Sequence, residues 1–209
     1  MSAASTFAAA DAVLVDLDGT LVDSAGPVRR VWEAFAQRHG LDPDEVERFA
    51  HGRPSRESVR ALAPHSDLDA ESDAIEAAEI EDTDGVVALP GAAQLLSGDR
   101  PLAIVTSCST ALATARLHAA GLQIPDVLVS SDGLERGKPD PMCFVIAARR
   151  LGLDPARCVV IEDAPAGILA GRAAGATVIA VRTTHGDDKL GDAHAIADDI
   201  AELLGSPAG

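Results

Sequence analysis

Two hydrophobic patterns alternate along this chain: short unbroken apolar runs closed by a small or polar residue, and stretches whose apolar positions fall three and four apart. The first pattern, at residues 12–15, 102–105, 127–130, 158–161 and 177–181, predicts strands. These runs are rich in Val and Ile and lack polar alternation, as expected of a parallel sheet covered on both faces. Residues 195–196 predict a sixth strand. The second pattern begins at Pro27, where Val28, Val31, Trp32 and Phe35 mark one face of a helix ending at Gly40. Asp42 and Pro43 open another helix to Ala50, with Asp at the N-cap and Pro in the first turn. Helices are also predicted over 55–62, with Ser55 as N-cap, and over 69–80, where Asp67, Asp69, Glu71 and Asp73 suit the positive end of the helix dipole. Further helices are expected over 92–96, 111–120, 142–151, 168–174 and 198–204.

No strand pattern occurs between Ala25 and Thr83. An all-helical block is thus set between the first strand and the rest, with Leu89-Pro90-Gly91 as a hinge back. The expected fold class is α/β: a Rossmann-like parallel sheet core, residues 1–21 and 89–209, with an inserted small all-helical domain, residues 22–88.

The candidate chemistry lies where predicted strands end. Asp16 follows the first strand and Asp18 the turn after it, at the edge where an open parallel sheet binds ligands. Alone, Asp-Leu-Asp-Gly fits a solvated turn as well as a chemical centre. Thr106 and Ser107 follow the second strand, where hydroxyls and free N–H groups at a helix start suit phosphate oxygens, or simply cap the helix. Lys138 stands between Gly137 and Pro139, a stiff loop from which one ammonium group can reach a crevice. The glycines at 133 and 137 are wrongly spaced for a P-loop, and no Ser or Thr follows Lys138. Glu162 and Asp163 close the fourth strand, and adjacent carboxylates there suggest a shared cation, Mg²⁺. Together these groups provide what phosphoryl transfer requires. Asp16 serves as nucleophile, Asp18 as general acid then base, and Mg²⁺, Lys138 and Thr106 neutralise the phosphoryl oxygens.

Composition narrows the partners. A formal net charge of −16 opposes nucleic acid and anionic membranes. Three cysteines without a C-x-x-C pair suit a reducing, cytoplasmic setting, and no signal or transmembrane pattern is seen. The six histidines share no motif, which argues against a His-based metal or triad site. In the loop between the second and third helices, Arg53 and Arg56 are candidate contacts for an anionic ligand.

Asp16-Leu-Asp18-Gly-Thr20, Thr106-Ser107, Gly137-Lys138-Pro139 and Glu162-Asp163 resemble, in order, the four motifs of the haloacid dehalogenase-like phosphatases. The resemblance runs nearly end to end. It implies that Asp16 is nucleophile and Mg²⁺ ligand, that Asp18 gives its backbone carbonyl to the ion, and that Asp163 and Glu162 complete or assist the site. It also implies that the helical insert is a cap carrying specificity, with His51, Gly52 and Arg53 at substrate-contacting positions. More narrowly, the chain is similar to bacterial sugar and hexitol phosphatases of the β-phosphoglucomutase-like subfamily, through stretches such as Arg38-His39-Gly40-Leu41 and Glu162-Asp163-Ala164-Pro165. The expected partner is a small phosphorylated sugar or polyol, and the expected state a monomer. Two alternatives stand beside hydrolysis. Related mutases carry a cap-helix His ten residues after the second Asp, where this chain has Val28. A phospho-acceptor module would need neither Asp18 nor a cap.

Overall fold

The computed structural model describes residues 2–50 and 53–205. Helix α1 (Ala3–Ala8) precedes β1 (Ala12–Val15), and a turn leads to the two-residue β2 (Val22–Asp23). Next come α2 (Ala25–His39), α3 (Pro43–Ala50), α4 (Ser55–Leu62) and α5 (Leu68–Glu81). The chain returns through β3 (Val87–Ala88) to α6 (Ala92–Leu96), β4 (Leu102–Val105), α7 (Thr110–Ala119), β5 (Val127–Val129) and α8 (Met142–Arg150). A 3₁₀ turn (Pro155–Arg157) then leads into β6 (Cys158–Glu162) and α9 (Pro165–Ala173). Strand β7 (Thr177–Val181), α10 (Asp187–Leu190), β8 (Ala195–Ala197) and α11 (Ile200–Leu203) follow.

Among the described residues, one parallel sheet has the order β5-β4-β1-β6-β7-β8. This is the Rossmann-like α/β fold expected from the apolar runs. Successive crossovers leave β1 first toward β4 and later toward β6, so the sheet's order reverses beside β1. A crevice opens there at the carboxyl edge. Strand β1 is buried along its whole length. Its pleat sends Val13 and Val15 into one apolar layer and Ala12 and Leu14 into the other.

A third apolar cluster belongs to the four inserted helices and includes Val31, Trp32, Phe35, Val46, Val59 and Ile75. The Trp32 and Phe35 rings meet edge to face at 5.3 Å. Asp42 accepts from the Asp44 and Glu45 amides at the start of α3, and Asp67 caps α5 through the Asp69 and Ala70 amides. The expected Ser55 cap is not formed. Ser55 is already the first residue of α4, and Pro54 holds the N-cap position without a side-chain bond. Strands β2 and β3 pair antiparallel, Val22 opposite Ala88 and Asp23 opposite Val87, so the chain enters and leaves the helical block at one place. No helix among the described residues is long and apolar enough to cross a membrane.

Candidate active site

The parallel ladder continues one residue beyond β1 and β4. The Asp16 amide donates to the Ile161 carbonyl and the Thr106 amide to the Val129 carbonyl. Backbone pairing therefore fixes Asp16, Thr106 and the β6 terminus side by side at one sheet edge. Lys138, on the loop after β5, reaches into this edge with its side chain 6% exposed. Its Nζ lies 2.5 Å from Asp16 Oδ1, 2.6 Å from Glu162 Oε1 and 3.0 Å from the Val105 carbonyl.

Two buried carboxyls, those of Asp16 and Glu162, thus share one ammonium, and a third, that of Asp163, lies beside them. Burial raises Asp16 from 3.8 to about 7, against the lowering effect of Lys138, and the Glu162 charge adds to the rise. Burial, then the charge of Asp16, raises Asp163 from 3.8 to about 7. Glu162 is raised for the same first reason. Burial alone would lower Lys138, but the charges of Asp16 and Glu162 outweigh it and hold the ammonium firmly protonated.

Carboxylate oxygens of Asp16, Glu162 and Asp163 come within 4.8 Å of one another. An all-oxygen, anionic donor set of this kind fits Mg²⁺. Within it, the Glu162 oxygens are already engaged: Oε1 by Lys138, and Oε2 by the Asp163 and Ala164 amides at 3.2 and 3.3 Å. Glu162 therefore braces Lys138 and the turn after β6. Asp163 is itself oriented by hydroxyl donors, Thr20 at 3.2 Å and Thr184. Gly19, at φ +80°, passes so close to Asp163 and Thr184 that a Cβ there would collide with both.

The Asp18 side chain stands apart from this cluster. Its Oδ1 accepts from Ser24 Oγ at 2.6 Å and faces Arg116 Nη1 at 2.8 Å, and its Oδ2 accepts from Cys108 Sγ at 3.0 Å. Any contribution of Asp18 to an ion at the cluster would fall to its backbone carbonyl. Two carboxylates of one turn thus occupy different surroundings, one beside an ammonium and a metal-like donor set, the other gripped by a guanidinium, a hydroxyl and a thiol.

Both environments open onto one cavity of about 150 Å³, which Thr106, Ser107 and Arg53 also line. The Thr106 hydroxyl accepts from the Cys108 amide at 3.1 Å, and Ser109 caps α7 through the Leu112 amide. Capping thus falls to Ser109, which leaves Thr106 and Ser107 at the cavity. Arg53 is exposed, with its guanidinium 4.3 Å above the Phe49 ring. Arg56 instead pairs with Asp69 at 2.5 Å. His51 and Gly52 lie outside the described residues. Sequence reasoning missed Ser24, Glu79, Cys108, Arg116 and Thr184. Arg116 in particular sits in an Ala-rich helix with no motif around it, and only its burial marks it.

A family model described as haloacid dehalogenase-like hydrolase matches residues 10–175. Hexitol phosphatase A of Escherichia coli is 44% identical over 197 residues, 91% of either chain. Fructose-1-phosphate phosphatase YqaB of Escherichia coli is 35% identical over 81% of this chain and 95% of its own. Among solved structures, a HAD family hydrolase from Deinococcus radiodurans with bound phosphate and sodium superposes with a TM-score of 0.70 at 32% identity, covering 94% of each chain.

Proposed function

Because this chain belongs to the haloacid dehalogenase-like hydrolases, we propose that it is a Mg²⁺-dependent phosphatase of sugar or sugar-alcohol phosphates working through an aspartyl-phosphate on Asp16. The observation that carries this reading is the separation of the two Asp side chains. A nucleophile needs to stay ionised next to positive charge, whereas a leaving-group acid needs a different environment at the far side of the phosphoryl group. Mg²⁺ held by Asp16 and Asp163 would act as a Lewis acid on the phosphoryl oxygens.

Asp16 attacks phosphorus, forming an O–P bond as the bond to the ester oxygen breaks. The departing oxygen takes the Asp18 proton. Water then attacks the aspartyl-phosphate, Asp18 accepts its proton, and phosphate leaves with the Asp16 carboxylate restored. Lys138 fixes one Asp16 oxygen and offers positive charge, while Thr106 and Ser107 present donors to the phosphoryl group. We assign residues 22–88 as a cap domain, with Arg53, and by position His51 and Gly52, as its substrate contacts. Free Cys108, Cys143 and Cys158 support a reducing, cytoplasmic setting.

A mutase must return the phosphate to sugar. Here Val28, apolar and incapable of proton transfer, lines the cavity at the position where related mutases have His. Hydrolysis is therefore the reading we adopt. The test is phosphate release from hexose, hexitol, pentose and glycerol phosphates with Mg²⁺ or chelator. Metal-dependent release is the expected result. Conversion of β-glucose 1-phosphate to its 6-phosphate without release would replace phosphatase by mutase.

A further inference from the structure

Arg116 is buried, 4% exposed, and belongs to α7, the helix that follows β4 in the sheet layer. One guanidinium nitrogen, Nη1, serves Asp18 Oδ1 at 2.8 Å and Cys108 Sγ at 3.0 Å. The other, Nη2, donates to Glu79 Oε2 at 3.1 Å. Glu79 is on α5, in the inserted helices, and is 6% exposed. Its second oxygen, Oε1, accepts from the indole N–H of Trp32, on α2, at 3.2 Å. An unbroken chain of contacts therefore runs Trp32, Glu79, Arg116, Asp18, its first three members buried and Asp18 partly exposed, with two members from the helical insert and two from the sheet layer.

The two ends of this chain have different attachments. Trp32 packs on Phe35 within the insert's own core, and Asp18 sits on the turn that carries the proposed nucleophile. The guanidinium is planar and forked, so engaging Glu79 with one arm constrains the direction of the other. If α5 moves off α7, Arg116 loses its Glu79 anchor and is held only by Asp18 and Cys108.

We propose that Arg116 is a positioning residue that fixes the orientation of the Asp18 carboxyl, and that Glu79 makes this orientation depend on the insert being seated. This rests on the phosphatase reading above and assigns a further part of its site. Arg116 does not transfer the proton. It holds the group that does.

The test compares two ester classes by kcat/KM, which reports the steps up to departure of the leaving group. A hexitol phosphate expels an alkoxide and needs a proton, whereas 4-nitrophenyl phosphate expels a stable phenolate and does not. Arg116→Met is expected to lower kcat/KM for the hexitol ester by about 10²-fold, the scale of general acid catalysis, with a much smaller loss for the nitrophenyl ester. Arg116→Lys should recover part of the difference. Glu79→Gln should shift the ratio in the same direction by a smaller factor, and the Glu79→Gln, Arg116→Met double variant should match Arg116→Met alone. Equal losses on both esters would overturn the positioning role, and additive losses in the double variant would overturn the link to the insert. Should Arg116→Met fail to fold, Glu79→Gln decides, and an unchanged ester ratio there overturns the proposal. If the unaltered protein with Mg²⁺ hydrolyses neither ester, the phosphatase reading falls and this inference with it. If it hydrolyses both and the ratio never moves, only this inference falls.

Discussion

The Lys138 ammonium stands 2.5 Å from the Asp16 carboxylate, in a pocket where Glu162, 2.6 Å from the same nitrogen, competes for its charge and a third buried carboxyl, Asp163, lies close by. Replacing Asp16 with Asn removes the nucleophile and one of the crowded acids at once. Turnover should fall by at least about 10⁴-fold, on the scale of removing a covalent nucleophile. In chelator, the melting temperature of Asp16→Asn protein should hold or rise, because a buried acid raised by desolvation has been replaced by a neutral amide. Parallel kinetics and thermal melts check both halves. Near-normal turnover would sink the mechanism.

Asp18→Asn keeps much of the shape but cannot donate a carboxyl proton. The loss should be about 10²- to 10⁴-fold on alkyl phosphates. With an aryl phosphate the loss in kcat/KM should shrink, since the leaving group departs unprotonated. Steady-state assays on both esters measure this.

Metal and protons compete for the same oxygens. Asp16 and Asp163 have values of about 7 in the fold against an ordinary 3.8. Between these values the folded protein keeps protons that the unfolded chain has released. Their contribution to stability is therefore most favourable below the lower value, declines as pH rises, and levels off above about 7. Mg²⁺ must displace those protons at low pH but meets carboxylates at high pH. Saturating Mg²⁺ should thus raise the melting temperature more near about pH 8 than near about pH 5, each against chelator. A rise independent of pH would argue against these two ligands.

Much of this arrangement is readable in the sequence, for a physical reason. Strands buried on both faces must be continuously apolar, so residues 12–15, 102–105 and 158–161 stand out, and the polar residues ending them fall at the ligand-binding edge. The ribbon of β2 and β3 is two residues per strand and carries no period to read. The Asp18 surroundings are equally hidden. Cys108 and Arg116 lie about a hundred residues away in the chain, and Glu79 sits in an acidic helix whose charges look solvated until α5 packs on α7. Long-range packing, which periodicity does not encode, decides which of many similar charges is buried.

Gly167 gives a test of how Glu162 holds Lys138 in place. It lies on α9 so close to Glu162 that a Cβ would overlap the carboxylate. The surrounding strand is fully buried, which leaves Glu162 little room to retreat. Gly167→Ala should therefore displace Glu162 and loosen Lys138, destabilising the protein by about 1–3 kcal/mol, the range for overpacking a tight interior. Phosphoryl transfer should suffer too, because Lys138 would lose the acceptor that fixes it opposite Asp16. Gly175→Ala, at a φ of +85° with open space around it, supplies the comparison. It should lose stability through backbone strain alone and keep kcat. Denaturant melts and kcat measured on both variants separate crowding of the site from general strain, and a Gly167→Ala protein with unaltered kcat would show that Glu162 does not set the Lys138 position.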